Sequence, residues 1–294
     1  MKQAISLHEH ERVLSRCLDI PEQLPKVALP LSEVGISGKT VWLRLPEGLI
    51  PMEATLEVAL PAHRRGIHMS RLEEVIAALY QRPFEDPRQY ARVLAQEMLA
   101  RQEAVSGRVR LLGKIPWLRT APVSGRVSVD SLELRLDHVC GHEGAGIMLL
   151  GVGVDHITAC PCTQAYNQVL FHREDDGCPL PTHSQRSHTL LMMESRGEEP
   201  AIGELVACLE EALHVSQDLL KRADEAELVL ASHAAPQFAE DAVREVAGLV
   251  GERFGGRLPD ATRVIIESLS LESIHTHDVC CRLEARLAEL LGRR

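Results

Sequence analysis

Residues 147–162 read Ile-Met-Leu-Leu-Gly-Val-Gly-Val-Asp-His-Ile-Thr-Ala-Cys-Pro-Cys. The run from Ile147 to Ile157 is almost wholly apolar and predicts a long strand, in which Gly151 and Gly153 would form bends or bulges. This strand opens the second half of the chain, and the elements that follow it repeat the order of the first half. The stretch decides the fold because it marks the start of a second unit of the same design.

The first half predicts two strands, two helices and two further strands. Alternating apolar and polar side chains indicate strands at 40–44, 54–59, 108–112 and 126–136. Between them lie two runs with helical spacing. The first follows Ser70-Arg71-Leu72-Glu73, a pattern that predicts a capping box in which Ser70 caps and Glu73 reaches back to its amide. The order is therefore ββααββ.

The second half repeats this order, with strands predicted at 147–157, 188–194 and 262–268 and helices at 203–221 and 238–250. The stretch 278–291 has helical spacing at its leucines, whereas the repeat requires a strand there. We predict an α+β fold of two antiparallel units over 31–140 and 141–294, after an arm over 1–30. One unit has too small a core to stand alone, so we expect association into an oligomeric barrel, with a homotetramer as its form.

Composition limits the class of protein. Hydrophobic residues make up 45% of the 294 residues and aromatic residues 3%, so Leu, Val, Ile and Ala must build the core. The net charge of −10 argues against nucleic-acid binding. The chain shows no signal peptide and no apolar run long enough for a membrane, so we expect a cytoplasmic protein that binds no membrane. Its eight cysteines then predict thiols, ligands or nucleophiles rather than disulfides.

The Cys160-Pro161-Cys162 turn is too tight for both sulfurs to chelate one metal comfortably, so we expect one cysteine to ligate and the other to act differently. His183 and His188 are five residues apart and would face opposite sides of an extended chain. We favour His183 as a ligand because it is nearer the cysteine turn. Thiolate, imidazole and carboxylate with one open position are typical of a catalytic metal site. The plainer alternative is a pair of small core residues followed by a solvated loop.

Two acid pairs and one histidine pair are further candidates. Glu225 follows Asp224 after a predicted helix end, and Glu240 lies in the first turn of another helix, where acids also serve as ordinary dipole complements. His275 and His277 would point to one face of an extended segment, which suits metal binding or proton relay but also a polar strand edge.

A basic patch at 64–71 runs into a predicted helix N-terminus, where free amides and the helix dipole favour phosphate. A solvated loop is the plainer alternative.

Taken together, these segments resemble the type IB GTP cyclohydrolases, metal-dependent enzymes of bacteria and archaea that open pterin synthesis. The matching motifs occur in family order and are 65–71 (RGIHMSR), 121–125 (APVSG), 158–162 (TACPC), 183–187 (HSQRS), 219–225 (LLKRADE), 238–241 (FAED) and 272–277 (ESIHTH). The resemblance implies the tunnelling fold, with two ββααββ modules in each subunit.

The resemblance also implies roles for individual residues. It implies that a divalent metal (Zn, Mn or Fe) is held by Cys160, His183 and Glu225. It also implies that Cys162, His275 and His277 handle protons or orient water. It places Glu240 on the guanine ring and Arg65, His68 and Arg71 near the ribose or triphosphate. In the family reaction, water activated by the metal attacks C8 of GTP and formate is released. Most members form 7,8-dihydroneopterin triphosphate for folate and pterin synthesis.

The chain also departs from the family pattern. Ala223 stands where proline is common, and 233–235 replaces a more polar stretch. The segment between Cys162 and His183 is long, as in archaeal relatives, which make a cyclic phosphate of dihydroneopterin with iron. That product is one alternative. Two others are a tunnelling-fold nitrile reductase, which uses a cysteine and NADPH, and a metal- or pterin-binding oligomer without turnover.

Overall fold

A computed structural model describes residues 4–141, 146–172, 179–197 and 199–292. Within these residues nine strands form one antiparallel sheet. In chain order they are β1 (Leu31–Leu45), β2 (Gly48–Leu60), β3 (Ser106–Thr120), β4 (Val127–Gly141), β5 (Ile147–Ala159), β6 (Ser184–Ser195), β7 (His214–Val215), β8 (Arg263–Leu271) and β9 (Val279–Arg286). The sheet order is β1-β2-β3-β4-β5-β6-β8-β9, and β7 pairs with β5. The sequence therefore predicted the fold class and the antiparallel pairing correctly.

The helices connect these strands. They are α1 (Leu7–Leu14), α2 (Met69–Leu79), α3 (Pro87–Gln102), α4 (Pro161–Leu170), α5 (Ile202–Ala212), α6 (Arg222–Ala234), α7 (Ala239–Phe254) and α8 (Leu287–Leu290). Both halves thus contain the order ββααββ, and the second half adds α4, α6, the short β7 and the short α8. No helix in the described part of the chain combines the length and apolar character needed to cross a bilayer.

One continuous apolar core joins both halves on the helix side of the sheet. Alternate residues of β2 and β4 point into it, which produces the regular burial pattern of these strands. Tyr90 and Leu94 of α3 and Phe254 of α7 are almost fully buried there. A smaller cluster of Leu190, Met192 and Ile265 packs on the opposite face. The predicted unit boundaries and the oligomeric barrel remain predictions.

The predicted capping box at Ser70 is wrong. The N-cap of α2 is His68, two residues before Ser70, and it makes no side-chain capping bond. Gln102 holds the backbone of His68 on both sides, accepting from its N–H at 3.2 Å and donating to its carbonyl at 2.7 Å. Glu73 pairs instead with Lys39 at 2.7 Å. Tertiary hydrogen bonds therefore replace the local cap.

The helix predicted over 203–221 is wrong beyond Ala212, because His214 and Val215 leave the helix to pair with Ile157 and His156 of β5. Asp224 also lies within the first turn of α6 rather than after a helix. At the end of the chain, the strand that the repeat required is present as β9, and only four residues beyond it are helical.

Candidate functional site

The candidate residues meet at one end of the sheet, which we call the loop edge. It consists of the β3–β4 turn (121–126), the junction of β5 with α4 at 160, the segment 181–183 before β6 and the β8–β9 connection (272–278). The register brings these together because Thr120 pairs with Val127, Ala159 with Ser184, and Ser270 with Val279. Four of the seven motifs have residues on this edge, at 121–125, 158–162, 183–187 and 272–277, and two more, 219–225 and 238–241, lie at the starts of α6 and α7.

Cys160 directly follows β5 and is the N-cap of α4. Pro161 follows at the first helical position, where its fixed φ suits the helix and its missing N–H has no cost. The Cys160 N–H donates to the carbonyl of His183 at 3.0 Å, and the Thr182 hydroxyl donates to the Cys160 carbonyl at 2.7 Å. The Thr163 hydroxyl lies 3.7 Å from the Cys160 sulfur. Cys160 is partly buried and Cys162 is exposed, so the two thiols occupy different environments.

Three histidines lie close together on the loop edge. The ring centroid of His183 is 6.5 Å from that of His275, edge to face, and the rings of His275 and His277 stack at 5.3 Å. The His183 Nδ1 lies 3.2 Å from the Gln185 side-chain oxygen, which restrains that ring. The three imidazoles therefore present a continuous group of proton donors and acceptors beside Cys160.

The connection that carries His275 and His277 is fixed at its two ends. The Glu272 N–H donates to the Asp278 carboxylate at 3.2 Å, and the Ser270 hydroxyl donates to the Glu272 carboxylate at 3.0 Å. The segment bends rather than extends, so the stacking of the two rings follows from this closed loop and not from strand alternation.

Helix α6 starts beside the β3–β4 turn. Asp224 is fully buried and accepts hydrogen bonds from the N–H groups of Val123 and Ser124, whereas its neighbour Glu225 is exposed. Hydrogen bonds from Ser124, led by its side chain, and then from the Lys221 N–H hold the pKa of Asp224 far below its ordinary value. This role was not predicted from the sequence, because charged residues near helix ends are usually solvated.

Glu240 lies in the first turn of α7 and is exposed. The next residue, Asp241, accepts from the Phe238 N–H at 3.1 Å and so caps the helix, which leaves Glu240 free. Burial, and then the negative charge of Glu240, raise the pKa of the Cys281 thiol in β9. Helix α7, which carries Glu240, packs against β9, the strand that follows the histidine connection.

The basic patch at 64–71 lies at the start of α2. Arg64 is buried and pairs with Glu22 of the N-terminal arm at 2.6 Å, and the His68 Nε2 is 2.9 Å from the same carboxylate. Arg71 donates to the Arg101 carbonyl at 3.0 Å, whereas the Arg65 side chain is exposed. Among the described residues, no hydrogen bond, ion pair or ring contact joins this patch to Cys160 or His183 of the same chain.

All seven motifs lie within the part of the chain that matches one protein-family model. The sequence model of the family described as type I GTP cyclohydrolase FolE2 matches residues 18–281. The chain belongs to this family. Family membership supports an enzyme that acts on GTP.

Curated relatives of two kinds are similar to this FolE2 family member. GTP cyclohydrolase FolE2 of Cupriavidus necator is 32% identical over 267 residues, which cover 87% of this chain and 90% of the relative. GTP cyclohydrolase MptA of Methanocaldococcus jannaschii is 30% identical over 308 residues, which cover 94% of this chain and 96% of the relative. The chain thus spans nearly the whole length of both.

Solved structures with the same fold are uricases. The uricase of Arthrobacter globiformis gives a TM-score of 0.55 at 9% identity and covers 89% of this chain and 96% of its own. A uricase of Bacillus fastidious gives 0.50 at 8% identity and covers 90% and 96%. At these identities the likeness shows the fold alone, and it is compatible with the tunnelling fold.

The donor chemistry of this FolE2 family member suits a divalent metal, but only part of the predicted ligand set is joined by direct contacts. Cys160 and His183 are linked through their backbones, and a thiolate with an imidazole suits zinc or iron. Glu225 lies at the flank of the loop edge. Within the described residues, no three His, Cys, Asp or Glu side chains converge closely enough to hold a metal ion.

A buried polar network that sequence reasoning missed lies beneath the loop edge. The His156 Nε2 is 2.8 Å from the Thr189 hydroxyl, which donates to Ser268 at 2.9 Å. Thr158 and Ser187 share a hydrogen bond at 2.9 Å. Burial lowers the pKa of His156 to about 4, so its imidazole is neutral near pH 7. Only the alternation of polar residues in β5, β6 and β8 hinted at this network.

Proposed function

We propose that the chain is a GTP cyclohydrolase of the type IB kind, which opens the imidazole ring of GTP by hydrolysis and releases formate. The product would be 7,8-dihydroneopterin triphosphate. The observation that carries the proposal is the backbone link of Cys160 to His183 on an edge that also holds His275 and His277, within a chain of the FolE2 family.

Cys160, His183 and Glu225 would hold the divalent metal, with Zn, Mn and Fe as candidates. When bound, such a metal supplies Lewis-acid chemistry, lowering the pKa of water and polarising the attacked centre. The chain contributes the orientation of these ligands. The backbone bond at 3.0 Å holds Cys160 and His183 together, and the Gln185 contact restrains the His183 ring.

His275 and His277 would move protons during ring opening. Imidazoles exchange protons near neutral pH, and two stacked rings with exposed edges can accept a proton on one and deliver it from the other. Cys162 is exposed in the first turn of α4 and would face the substrate rather than the metal.

Glu240 would anchor the guanine base. An ionised carboxylate can accept two hydrogen bonds, and guanine offers two donors on one edge, N1–H and the 2-amino group. The position of Glu240 supports this role, because Asp241 already satisfies the start of the helix and leaves the Glu240 carboxylate free.

Arg65, His68 and Arg71 would lie near the ribose and triphosphate. The support for this placement comes from Arg65, whose side chain is exposed and could reach a phosphate. Arg71 and His68 already have hydrogen-bond partners within the chain. A homotetramer would supply these residues to a neighbouring loop edge. β1 and β9 stand at the two ends of the strand order, where antiparallel sheets can add strands from another copy.

A second product is an alternative to the triphosphate. The chain is about as similar to an MptA relative as to a FolE2 relative, at 30% and 32% identity. A cyclic phosphate of dihydroneopterin, the archaeal type of product, is therefore the alternative outcome of the same ring opening.

The test is to incubate GTP with metal-free protein and with protein loaded with Mn, Fe or Zn. Formate is measured, and the pterin product is identified by mass. We expect formate only with metal, and the mass distinguishes the triphosphate from the cyclic phosphate. Oxidation of NADPH with a nitrile substrate, without formate from GTP, would favour the reductase. Binding of metal or pterin with no turnover under any condition would favour the non-enzymatic alternative.

A further inference from the structure

Asp224 joins two segments that are distant in sequence. Its Oδ1 accepts hydrogen bonds from the N–H groups of Val123 at 2.9 Å and Ser124 at 2.8 Å, both in the β3–β4 turn. Its Oδ2 accepts from the N–H of Lys221, the N-cap of α6, at 2.9 Å. The side chain has no exposed surface. One buried carboxylate therefore fastens the start of α6 to the turn of the loop edge.

The other end of α6 is also fixed. The Gln164 side chain of α4 donates to the carbonyl of His233 at 2.7 Å and lies 3.4 Å from the carbonyl of Leu180. Helix α6 is thus held at its start by the β3–β4 turn and at its end by the helix that begins at Cys160. These two attachments fix both the axial position and the rotation of α6 relative to the loop edge.

Glu225 follows Asp224 directly and is exposed. Successive residues of an α-helix point about 100° apart, so a helix whose Asp224 is locked inward has only one direction in which to present Glu225. We propose that Asp224 is the positioning residue for the Glu225 carboxylate. It touches neither metal nor substrate and acts by setting where Glu225 stands. This inference rests on the proposed function, because Glu225 matters there as a metal ligand.

The chemistry requires a carboxylate at 224. Its two carboxylate oxygens accept hydrogen bonds from three N–H groups, two in the β3–β4 turn and one at the start of α6. Asparagine has the same shape but one oxygen and one NH₂ group, so it would turn a donor toward either the turn or the helix start. Asp224→Asn should therefore place two N–H donors against each other at one of the two attachments, while the volume of the side chain stays the same.

The experiment measures Mn²⁺ affinity by competition with a chromogenic chelator, alongside thermal unfolding of the metal-free protein. We expect Asp224→Asn to weaken Mn²⁺ binding by about 10–100-fold, as is typical for residues that orient a metal ligand. The matched control is Asp86→Asn, which alters a carboxylate that accepts from Gln89 at the start of α3. The control should lower the unfolding temperature and leave Mn²⁺ affinity unchanged.

Two comparisons separate this inference from the proposed function. Unchanged Mn²⁺ affinity in Glu225→Gln would remove Glu225 from the ligand set and defeat the proposed metal site itself. Loss of Mn²⁺ in Glu225→Gln with wild-type affinity in Asp224→Asn would overturn the positioning role alone. If Asp224→Asn does not fold, Ser124→Ala decides, because it removes the side-chain hydrogen bond to Asp224 together with the longer bond, 3.4 Å, that the Ser124 hydroxyl accepts from the Arg126 N–H. A severalfold loss of affinity would support the role, and wild-type affinity would overturn it.

Discussion

Replacing Gly153 by Ala should disturb an ion-pair cluster on the face of the sheet opposite the helices. His188 of β6 crosses over β5 at Gly153 to reach Glu133 of β4. Its Nε2 is 3.2 Å from the Glu133 carboxylate, and its Nδ1 is 2.8 Å from Asp155. A Cβ at position 153 would lie 2.8 Å from the His188 Nε2 and 3.0 Å from its Cε1. The ring would have to leave Glu133.

The expected cost has two parts. Overpacking at a tight site costs about 1–3 kcal/mol. Loss of the ion pair adds roughly 1 kcal/mol, since the His188 side chain is 30% exposed and solvent screens the pair. The free energy of unfolding should therefore fall by about 2–4 kcal/mol near neutral pH.

The second part should depend on pH. The ion-pair contact with Glu133 raises the pKa of His188, burial opposes this, and the hydrogen bond to Asp155 adds to it. Because the folded-state pKa is raised, the contribution is complete below the unfolded value of about 6.5 and is lost as pH rises through the folded value. Glu133, whose pKa is lowered to about 2, stays ionised throughout this range. The cost of Gly153→Ala should thus shrink toward the crowding part at about pH 9.

Urea unfolding of the metal-free protein at about pH 6 and about pH 9 measures both parts. Gly197→Ala is the matched control, because an added Cβ there meets nothing within 4 Å. A cost for Gly153→Ala below about 0.5 kcal/mol, within the range of ordinary surface changes, would refute the geometry. A cost that is the same at both pH values would refute the role of the His188 charge.

Three further outcomes are expected. Glu240→Gln should weaken GTP binding by about 1.5–3 kcal/mol in calorimetry, since it places a donor where guanine needs an acceptor. ATP should remain a non-substrate of the wild type. Unchanged GTP affinity in the variant would contradict the role of Glu240 in binding guanine. Cys162→Ala should bind metal and GTP but release formate slowly, and a wild-type rate of formate release in this variant would show that Cys162 has no part in turnover. In the wild type, bound GTP should slow inactivation by peroxide. Phe254→Ala should lower the free energy of unfolding by about 3–5 kcal/mol in urea, because the ring is fully buried, and a loss under about 1 kcal/mol would mean that the core relaxes around it.

Strand alternation and helix spacing were enough to predict most of the sheet and its helices. β5 was predicted from its apolar run and lies at 147–159, two residues longer than expected. The sequence left 278–291 open between the strand that the repeat required and a helix. The strand β9 forms there because pairing with β8 outweighs the local helical spacing. Regular periodicity is set by burial on one face, so it can be read along the chain.

The errors share a physical cause. Ser70 lost its predicted capping role to hydrogen bonds from Gln102, which lies more than thirty residues away. The helix over 203–221 ends at Ala212 because β5 offers His214 and Val215 strand partners. Asp224 looked like surface decoration, and only the approach of the β3–β4 turn makes it buried. Long-range partners decide such positions, and periodicity along the chain carries no information about them.

In the candidate site, too, some features could be predicted from the sequence and others could not. Motif order predicted that Cys160, His183, His275 and His277 belong together, and the register of the sheet brings them to one edge. The metal-ligand roles of Cys160, His183 and Glu225 and the phosphate role of Arg65 remain predictions.

Metal content and formate release, measured side by side for the wild type and Cys160→Ser, test the metal-dependent opening of GTP most directly. The wild type should release one formate for each GTP consumed, in proportion to its metal content. Cys160→Ser should keep its fold, since a catalytic site contributes less to folding than a closed structural one, and should lose both metal and formate release. A Cys160→Ser protein that retains full metal content and wild-type formate release would contradict the central claim.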